Sequence, residues 1–256
     1  MKKCKKFLCM AVLALAMTLL MGTTALAATK TITLKSGKVY NQTVQKYGDT
    51  YYYKITVPKT GYLTVKGYAY SKYKANTNYS MRMTLCNSKK KPVDSSYGTG
   101  SSENRGYKVY YGVKKGTYYL KVTDGAPYKL SYSFKAVTEK SGSKKSKAVA
   151  LKKNKAAGGL QIAGESASKA DWYKIVLPKK QKVTLTYSTK ANNTIWFKII
   201  PASKNVYLSG SLEYCMWDQT KTVTTKDKLP AGTYYVQVYK YKGDDWMSGY
   251  YTLKWK

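Results

Sequence analysis

The sequence predicts an all-β protein, built as two tandem antiparallel β-sandwich domains of jelly-roll-like type that follow an N-terminal signal peptide. Three observations support this: a set of sequence blocks occurs twice in the same order, hydrophobic residues alternate along those blocks, and turn residues separate them. No amphipathic helix of ten residues is apparent after residue 28. We place the domains at 28–138 and 148–256, with a linker at 139–147.

Four blocks make up the repeat, and their order is the same in both copies. They pair Tyr53–Lys59 with Tyr173–Lys179, Lys74–Asn76 with Lys190–Asn192, Gly116–Val122 with Gly232–Val238, and Tyr128–Tyr132 with Tyr251–Trp255. Each copy spans about 110 residues, which is the size of a domain rather than of a solenoid repeat.

Hydrophobic residues alternate with polar residues within the blocks, as expected for strands with one buried and one wet face. The predicted inward residues are Leu63 and Val65; Tyr128, Leu130, Tyr132 and Phe134; Tyr234, Val236 and Val238; and Tyr251, Leu253 and Trp255. Turn sequences at Pro58–Gly61, Lys114–Gly116 and Leu229–Gly232 precede strand-like runs. This pattern predicts seven to nine short strands in each copy.

The segment between the copies, Glu139–Lys147, consists of small, polar and charged residues. Such a composition predicts a flexible linker between two separate domains.

The order of these blocks resembles the bacterial pre-peptidase C-terminal domain. The fragments most similar to that family are Asp171–Tyr173 and Ala231–Tyr235, and Tyr79–Leu85 lies where the family has its central core strand. The resemblance covers both copies. It implies a non-catalytic sandwich of the kind attached to secreted enzymes and surface proteins. This chain departs from that setting, because no catalytic domain remains once both copies are counted.

The N-terminus has the features of a secretory signal peptide at residues 1–27. Four lysines precede the apolar run Phe7–Met21, and Ala25–Ala27 forms a small-residue cleavage site. The apolar run is short for a membrane-spanning helix, and no second run of that length follows it. The sequence therefore predicts an extracellular or cell-surface protein with no transmembrane segment in the mature chain.

The charge balance restricts the possible functions. The chain has 46 lysines and arginines against 12 acidic residues, a net charge of +34, and no histidine. Chemistry that needs an imidazole is therefore excluded. Nucleic-acid binding is disfavoured because only two of the basic residues are arginines and the predicted location is outside the cell. Exported polycations meet acidic wall polymers and glycans.

These observations predict an exported, non-catalytic binding or adhesion module that recognises an anionic cell-wall polymer or glycan through lysines and loop aromatics. The alternative is a structural or accessory protein that binds another extracellular protein.

Two groups of aromatic residues are candidates for ligand binding. They follow strand-like runs and are interspersed with lysines: Tyr68, Tyr70 and Tyr73 in the first copy, and Tyr239, Tyr241 and Trp246 with Lys240 and Lys242 in the second. Aromatic rings with a polar group are suited to stacking on sugars and to binding at interfaces. The alternative is that these tyrosines pair across strands and cover the sheet.

Acidic residues give little indication of catalysis. Asp49, Asp94, Glu103 and Asp124 in the first copy do not recur as a set in the second, and Asp171 is interpreted as the cap of a strand turn. We therefore predict that the protein is not an enzyme.

Metal binding and disulfide formation have weak candidates. Asp244 and Asp245 lie in a loop near glycine and are weak candidates for calcium, although turn-forming aspartates explain them as well, and no cofactor is predicted. Cys86 and Cys215 are expected to be separate thiols, with a disulfide between them as the alternative.

The predicted cleavage site can be tested directly. N-terminal sequencing of the exported protein should begin at Ala28 or within one or two residues of it, because the A-x-A site ends at Ala27. Recovery of a chain that begins at Met1 in the membrane fraction would show an anchor instead.

Overall fold

The computed structural model describes residues 29–42, 48–69, 80–94, 97–100, 107–123, 127–206, 208, 213–216, 218–243 and 246–256. The predicted all-β class is confirmed, because these residues form four sheets arranged as two sandwiches. The signal peptide lies outside the described residues, and so do Glu103 and Asp124.

The first sandwich contains nine described strands. They are β1 (Thr29–Thr33), β2 (Val39–Gln42), β3 (Thr50–Val57), β4 (Gly61–Ala69), β5 (Ser80–Cys86), β6 (Tyr97–Gly100), β7 (Tyr107–Val113), β8 (Gly116–Thr123) and β9 (Tyr128–Ala136). One sheet has the order β1-β3-β8-β5-β6 and the other the order β2-β9-β4-β7.

The second sandwich also contains nine described strands, preceded by a 3-10 helix at Lys145–Lys147. They are β10 (Val149–Ala150), β11 (Ala157–Gln161), β12 (Ala170–Leu177), β13 (Thr184–Ala191), β14 (Ile195–Pro201), β15 (Glu213–Met216), β16 (Thr220–Thr224), β17 (Gly232–Tyr239) and β18 (Gly249–Trp255). Its sheets have the orders β10-β12-β17-β14-β15 and β11-β18-β13-β16.

The two sandwiches have the same topology, since each strand of the first has a partner of the same sheet position in the second. The pairing is antiparallel with one exception in each copy. The edge strands β1 and β10 run parallel to β3 and β12. The alternation of hydrophobic residues did not predict these parallel edges, because alternation gives the face of a residue and not the direction of its neighbour.

The predicted inward residues fill two separate cores. Leu63, Val65 and Leu130 are buried in the first core, and Val236, Val238 and Leu253 are buried in the second. Each core lies between the two sheets of its own sandwich, so each copy has a hydrophobic centre of its own.

A hydrogen bond between two tyrosine hydroxyls crosses each core. The hydroxyl oxygens of Tyr53 on β3 and Tyr128 on β9 are 2.6 Å apart, and those of Tyr173 on β12 and Tyr251 on β18 are 3.0 Å apart. The rings meet edge to face in both copies. Burial raises the pKa of all four tyrosines, so the hydroxyls remain protonated. Each pair therefore satisfies two buried polar groups by joining the two sheets.

The sandwiches contact one another through a small apolar cluster. Tyr62 stacks on Tyr250 with ring centroids 5.0 Å apart and planes inclined by 16°. Tyr62 is buried with Tyr110, Leu160 and Ile162 in this cluster. Alternation along β4 predicts that Tyr62 faces solvent. Tyr62 does lie on the outer face of the sheet, but the second sandwich covers that face at this position.

Polar contacts accompany this apolar cluster. The amide of Ala163 donates to the carbonyl of Gly112 at 2.8 Å, and a side chain on Gly112 would collide with the carbonyl oxygen of Gln161. The buried carboxylate of Asp94 accepts hydrogen bonds from Asn192 and Ser248 of the second sandwich. A buried carboxyl group is tolerated in the interior only when it has hydrogen-bond partners. This contact therefore favours one specific arrangement of the two sandwiches.

The segment 139–147 is hydrogen-bonded to the second sandwich and is not a flexible linker. Gly142 exchanges two main-chain hydrogen bonds with Trp172, of 3.0 and 2.8 Å, and Lys145–Lys147 form the 3-10 helix. The expected flexible linker therefore lies along the edge of the second sandwich. The boundaries of the two domains at 138 and 148 remain a prediction.

The outer face of the β13–β16 pair carries a ladder of hydroxyl groups. Facing hydroxyls form hydrogen bonds between Thr184 and Thr224 (2.9 Å), Thr186 and Thr222 (3.0 Å), and Ser188 and Thr220 (2.9 Å). By topology this pair corresponds to β4 and β7, whose outer face contacts the second sandwich.

Removing one hydroxyl of the tyrosine pair should destabilise the first sandwich. Tyr53→Phe leaves the buried hydroxyl of Tyr128 without its partner, which costs about 1–3 kcal/mol of unfolding free energy. Tyr52→Phe, on the outer face of the same strand, is the control and should change stability by less than about 0.5 kcal/mol. Urea unfolding measures both. Equal stability of Tyr53→Phe and the wild type would contradict the role of the pair.

Candidate functional site

The outer face of the sheet β10-β12-β17-β14-β15 combines aromatic rings with lysines. Because Tyr173, Val236 and Phe197 point into the core, their neighbours along each strand point outward. The outward residues are Trp172 and Lys174 on β12, Tyr235, Gln237 and Tyr239 on β17, and Trp196 and Lys198 on β14.

Two of these rings, Trp196 and Tyr239, form what we call the aromatic platform together with Tyr241 of the loop after β17. Trp196 lies opposite Tyr239 in the β14–β17 register, with ring centroids 6.3 Å apart. The centroid of Tyr241 is 5.3 Å from that of Trp196, and its residue is 57% exposed. Rings at these distances lie side by side and offer a partly apolar surface to a ligand.

The structure brings together part of the second predicted group. Tyr239 and Tyr241 contact the same tryptophan, while Trp246 and Lys242 are exposed in the loop that joins β17 to β18. Trp246 is 48% exposed. Asp244 and Asp245 fall in this loop but lie outside the described residues.

Lys240 does not share the platform, contrary to its predicted place among the ligand-binding residues. Its side chain is buried, and its ammonium donates to the main-chain carbonyls of Ile162 at 2.7 Å and Glu165 at 2.8 Å. These bonds hold the loop after β11 in place. The position of Lys240 between Tyr239 and Tyr241 explains this, because neighbours on an extended chain point to opposite sides.

The first predicted group is seen only in part. Tyr68 lies on the outer face of β4, half-buried and opposite Lys129 of β9. Tyr70 and Tyr73 lie outside the described residues.

Trp196 was missed by the sequence analysis. It lies in the unbroken hydrophobic run Ile195-Trp196-Phe197. Since Ile195 and Phe197 are both buried, the residue between them must face outward. A tryptophan at the outward position of an alternating strand was therefore the signal for this site.

A second candidate is a cavity of about 560 Å³ where the two sandwiches and the linker segment meet. Two carboxylates, from Asp171 and Glu139, line it together with Ser141. The Ser141 hydroxyl lies 2.9 Å from the Asp171 carboxylate and 3.0 Å from that of Glu139. Asp171 also accepts hydrogen bonds from Tyr251, at 2.6 Å, and from Gln161, at 3.0 Å. It is thus part of the core network and not a turn cap.

Burial, together with the nearby charge of Glu139, raises the pKa of Asp171 to about 7. Glu165, which also lines the cavity, behaves differently. Burial opposes its ionisation, but hydrogen bonds from Lys114 and Lys169 lower its pKa below the usual value. Of the three acidic residues that line the cavity, Glu165 therefore stays ionised near neutral pH, whereas the carboxyl group of Asp171 exchanges its proton there.

Other predicted sites find little support among the described residues. No group of three metal-binding side chains converges in that part of the chain, which does not include Asp244 and Asp245. Cys86 is a free, buried thiol, and burial raises its pKa; the side chain of Cys215 lies outside the described part of the structure. The described residues also include no helix with the length and hydrophobicity needed to cross a membrane.

Comparison with known proteins finds similarity to solved β-sandwiches. No family model and no curated protein sequence matches the chain. The pre-peptidase C-terminal domain of a collagenase from Bacillus anthracis is 16% identical, covers 42% of this chain and 96% of its own, and has a TM-score of 0.30. PliG from Aeromonas hydrophila, a periplasmic inhibitor of g-type lysozyme, is 13% identical over 43% of this chain and 99% of its own, with a TM-score of 0.30.

A tandem module is also similar. The N-terminal CBM22 tandem domain of Xyn10C from Paenibacillus barcinonensis is 12% identical, covers 79% of this chain and 81% of its own, and has a TM-score of 0.26. The domain family that the sequence resembles is therefore also among the similar solved structures. Similarity at this level concerns the sandwich and not a ligand or an activity.

The raised pKa of Asp171 predicts a pH-dependent stability. The folded carboxyl has a pKa of about 7 and the unfolded one a value near 3.8, so the unfolded chain loses this proton first as pH rises. The contribution of this group to stability should therefore be present at pH 4 and be lost progressively towards pH 7. Asp171→Asn should remove that loss, so that the variant gains stability relative to the wild type as pH rises.

Thermal unfolding of both proteins across pH 4 to 8 measures this difference. Glu139→Gln removes the neighbouring charge, so the wild-type loss of stability should become smaller in that variant. A stability difference between Asp171→Asn and the wild type that does not change with pH would refute the assignment.

Proposed function

We propose that the protein is an exported, non-catalytic binding module that holds an anionic cell-wall polymer or glycan through the aromatic platform and the lysines around it. The observation that carries this proposal is the platform itself. Trp196, Tyr239 and Tyr241 gather three rings from two strands and a loop on the outer face of a sheet. Flat aromatic surfaces of this kind stack on the apolar faces of sugar rings while their polar groups remain in water.

The charge of the chain supports an anionic partner. Lysines are exposed on both sandwiches, including Lys66 and Lys129 on the first and Lys182 and Lys254 on the second. The two ion pairs found between described residues are both made to Glu165. With 46 basic residues against 12 acidic ones, the chain has too few acidic side chains to neutralise most of its positive charge. Such a surface attracts polyanions at long range and loses that attraction in salt.

The two parts of the surface have different roles in this proposal. Lysines such as Lys198 and Lys242, beside the platform, supply the attraction that brings a polyanion to the surface. The rings supply contact area whose strength is insensitive to ionic strength. Binding should therefore consist of a part that is lost in salt and a part that persists.

This division can be tested with purified cell wall. Tyr241→Ala and Trp196→Ala should each weaken the salt-resistant part of binding about tenfold, equivalent to about 1.4 kcal/mol. Tyr241 is exposed, so its replacement should leave the melting temperature unchanged. Val176→Ala is the control, since Val176 is exposed on the same sheet face outside the platform. Retention is measured by sedimentation with wall at low and high salt.

Two outcomes would oppose the proposal. Binding that is independent of salt and survives both aromatic substitutions would favour a protein partner instead. A large fall in the melting temperature of Tyr241→Ala would show that the ring is part of the packing and not of a binding surface.

A further inference from the structure

Each sandwich carries a lysine-capped pair of aromatic rings on its outer face. In the first, Tyr52 of β3 and Tyr119 of β8 meet edge to face with centroids 6.2 Å apart. The ammonium nitrogen of Lys90 lies over both rings, 4.5 Å from the centroid of Tyr52 and 5.4 Å from that of Tyr119. The cation is thereby held on the ring faces.

The second sandwich has a ring pair at the equivalent positions, with a lysine over one of the two rings. Trp172 of β12 and Tyr235 of β17 meet edge to face with centroids 6.5 Å apart, and the ammonium of Lys145 lies 4.8 Å from the centroid of Tyr235. Among the described residues these are the two closest approaches of a lysine to a ring. Other lysines lie over single rings at 5.3 to 5.8 Å.

The rings are equivalent in the repeat, but the lysines are not. Tyr52 and Trp172 precede the buried Tyr53 and Tyr173 in the repeated block. Lys90, by contrast, comes from the loop after β5, whereas Lys145 comes from the 3-10 helix before β10. Two unrelated segments thus each bring a lysine to the equivalent ring pair. Duplication of the fold explains why the rings occupy equivalent positions. It does not explain why a lysine from a different segment lies beside each ring pair.

The backbone at Lys90 is held in an unfavourable conformation. Its φ angle is +59°, in the left-handed region that non-glycine residues seldom adopt. The turn is held by the Asn87 side chain, which accepts from the amides of Lys89 at 2.9 Å and Lys91 at 3.1 Å. The Lys90 ammonium also donates to the hydroxyl of Thr31 at 3.1 Å. One of its three donors is therefore engaged within the protein, and the ammonium is fixed before any ligand arrives.

A second lysine stands beside each ring pair on the sheet. Lys54 lies directly opposite Tyr119 in the β3–β8 register, and Lys174 lies opposite Tyr235 in the β12–β17 register. We call the two sets the lysine–aromatic subsites. They comprise Tyr52, Tyr119, Lys90 and Lys54 in the first, and Trp172, Tyr235, Lys145 and Lys174 in the second. Each subsite thus places two lysines, and so two positive charges, beside a pair of aromatic rings on the sheet.

We propose that the two lysine–aromatic subsites are equivalent anion-binding sites, each taking one phosphodiester group of a polyol-phosphate polymer. This inference rests on the proposed function and names the anion and the number of sites. Lysine is a common phosphate ligand and binds as a point charge, without the planar, bidentate geometry that an arginine fork imposes on carboxylates and phosphates alike. The chain has 44 lysines and two arginines, and all four subsite cations are lysines. The rings hold the ammonium groups of Lys90 and Lys145, so that less side-chain entropy is lost when these two lysines bind an anion.

The test uses a short oligomer of glycerol phosphate in isothermal titration with the whole protein. The wild type should bind at two sites. Lys90→Gln and Lys145→Gln should each leave one site, and the double variant should weaken binding at least about tenfold. Lys89→Gln and Lys144→Gln are matched controls, since each removes the same charge from an exposed neighbour. Both controls should keep two sites.

The outcomes separate this inference from the proposed function. If the controls weaken binding as much as Lys90→Gln and Lys145→Gln do, attraction depends on net charge alone and the subsites are refuted, although the protein still binds polyanions. If an oligomer of uronic acids binds at two sites and glycerol phosphate does not, the phosphodiester assignment is overturned. Failure of the wild type to bind either probe or purified wall would overturn the proposed function as well.

Discussion

The buried hydrogen bond between two tyrosines is the constraint on which most of the structure depends. Tyr53 and Tyr173 form hydrogen bonds with Tyr128 and Tyr251 across their cores, so the register between the two sheets is specified by a polar contact and not by hydrophobic packing alone. A shift of one residue along β3 or β12 would turn these hydroxyls outward and expose every inward side chain with them. The same constraint determines the outer face, because rings that flank a buried tyrosine on its strand must point to solvent. The register of β3 and β12 therefore determines both which side chains enter the core and which side chains form the candidate binding surface.

In the second sandwich, the tyrosine pair belongs to a larger hydrogen-bond network. There the hydroxyl of Tyr251 also donates to Asp171, and Asp171 connects through Ser141 to Glu139 at the end of the first copy. A bond internal to one core is thereby linked to the segment that joins the two copies. The apolar stack of Tyr62 on Tyr250 and the buried carboxylate of Asp94 add to this connection from the other side. The two sandwiches thus share one continuous network, although each keeps its own hydrophobic core.

Alternation in the sequence was sufficient to predict which residues fill the cores, as Leu130, Val236 and Leu253 show, because the face of a strand residue follows from its parity. It could not show that Tyr62 is covered, since that depends on a residue 188 positions away, Tyr250, in the other copy. Lys240 was misassigned for a local reason: it was grouped with Tyr239 and Tyr241 by proximity along the chain, whereas its parity turns it into the interior. Trp196 was overlooked although parity marks it as outward. The positions of Lys90 and Lys145 could not be predicted at all, because loops carry no periodic signal.

The hydroxyl ladder on β13 and β16 bears on what can dock against that part of the second sandwich. Where the first copy offers tyrosine rings to the second, the corresponding strands of the second copy carry Thr184, Thr224 and their neighbours, whose exposed hydroxyls are hydrogen-bonded to one another. A third sandwich, or another molecule arriving in the same manner, would have to strip water from these groups without supplying apolar contact in return. The β13–β16 part of the second sandwich therefore disfavours the kind of apolar contact through which the first sandwich holds the second.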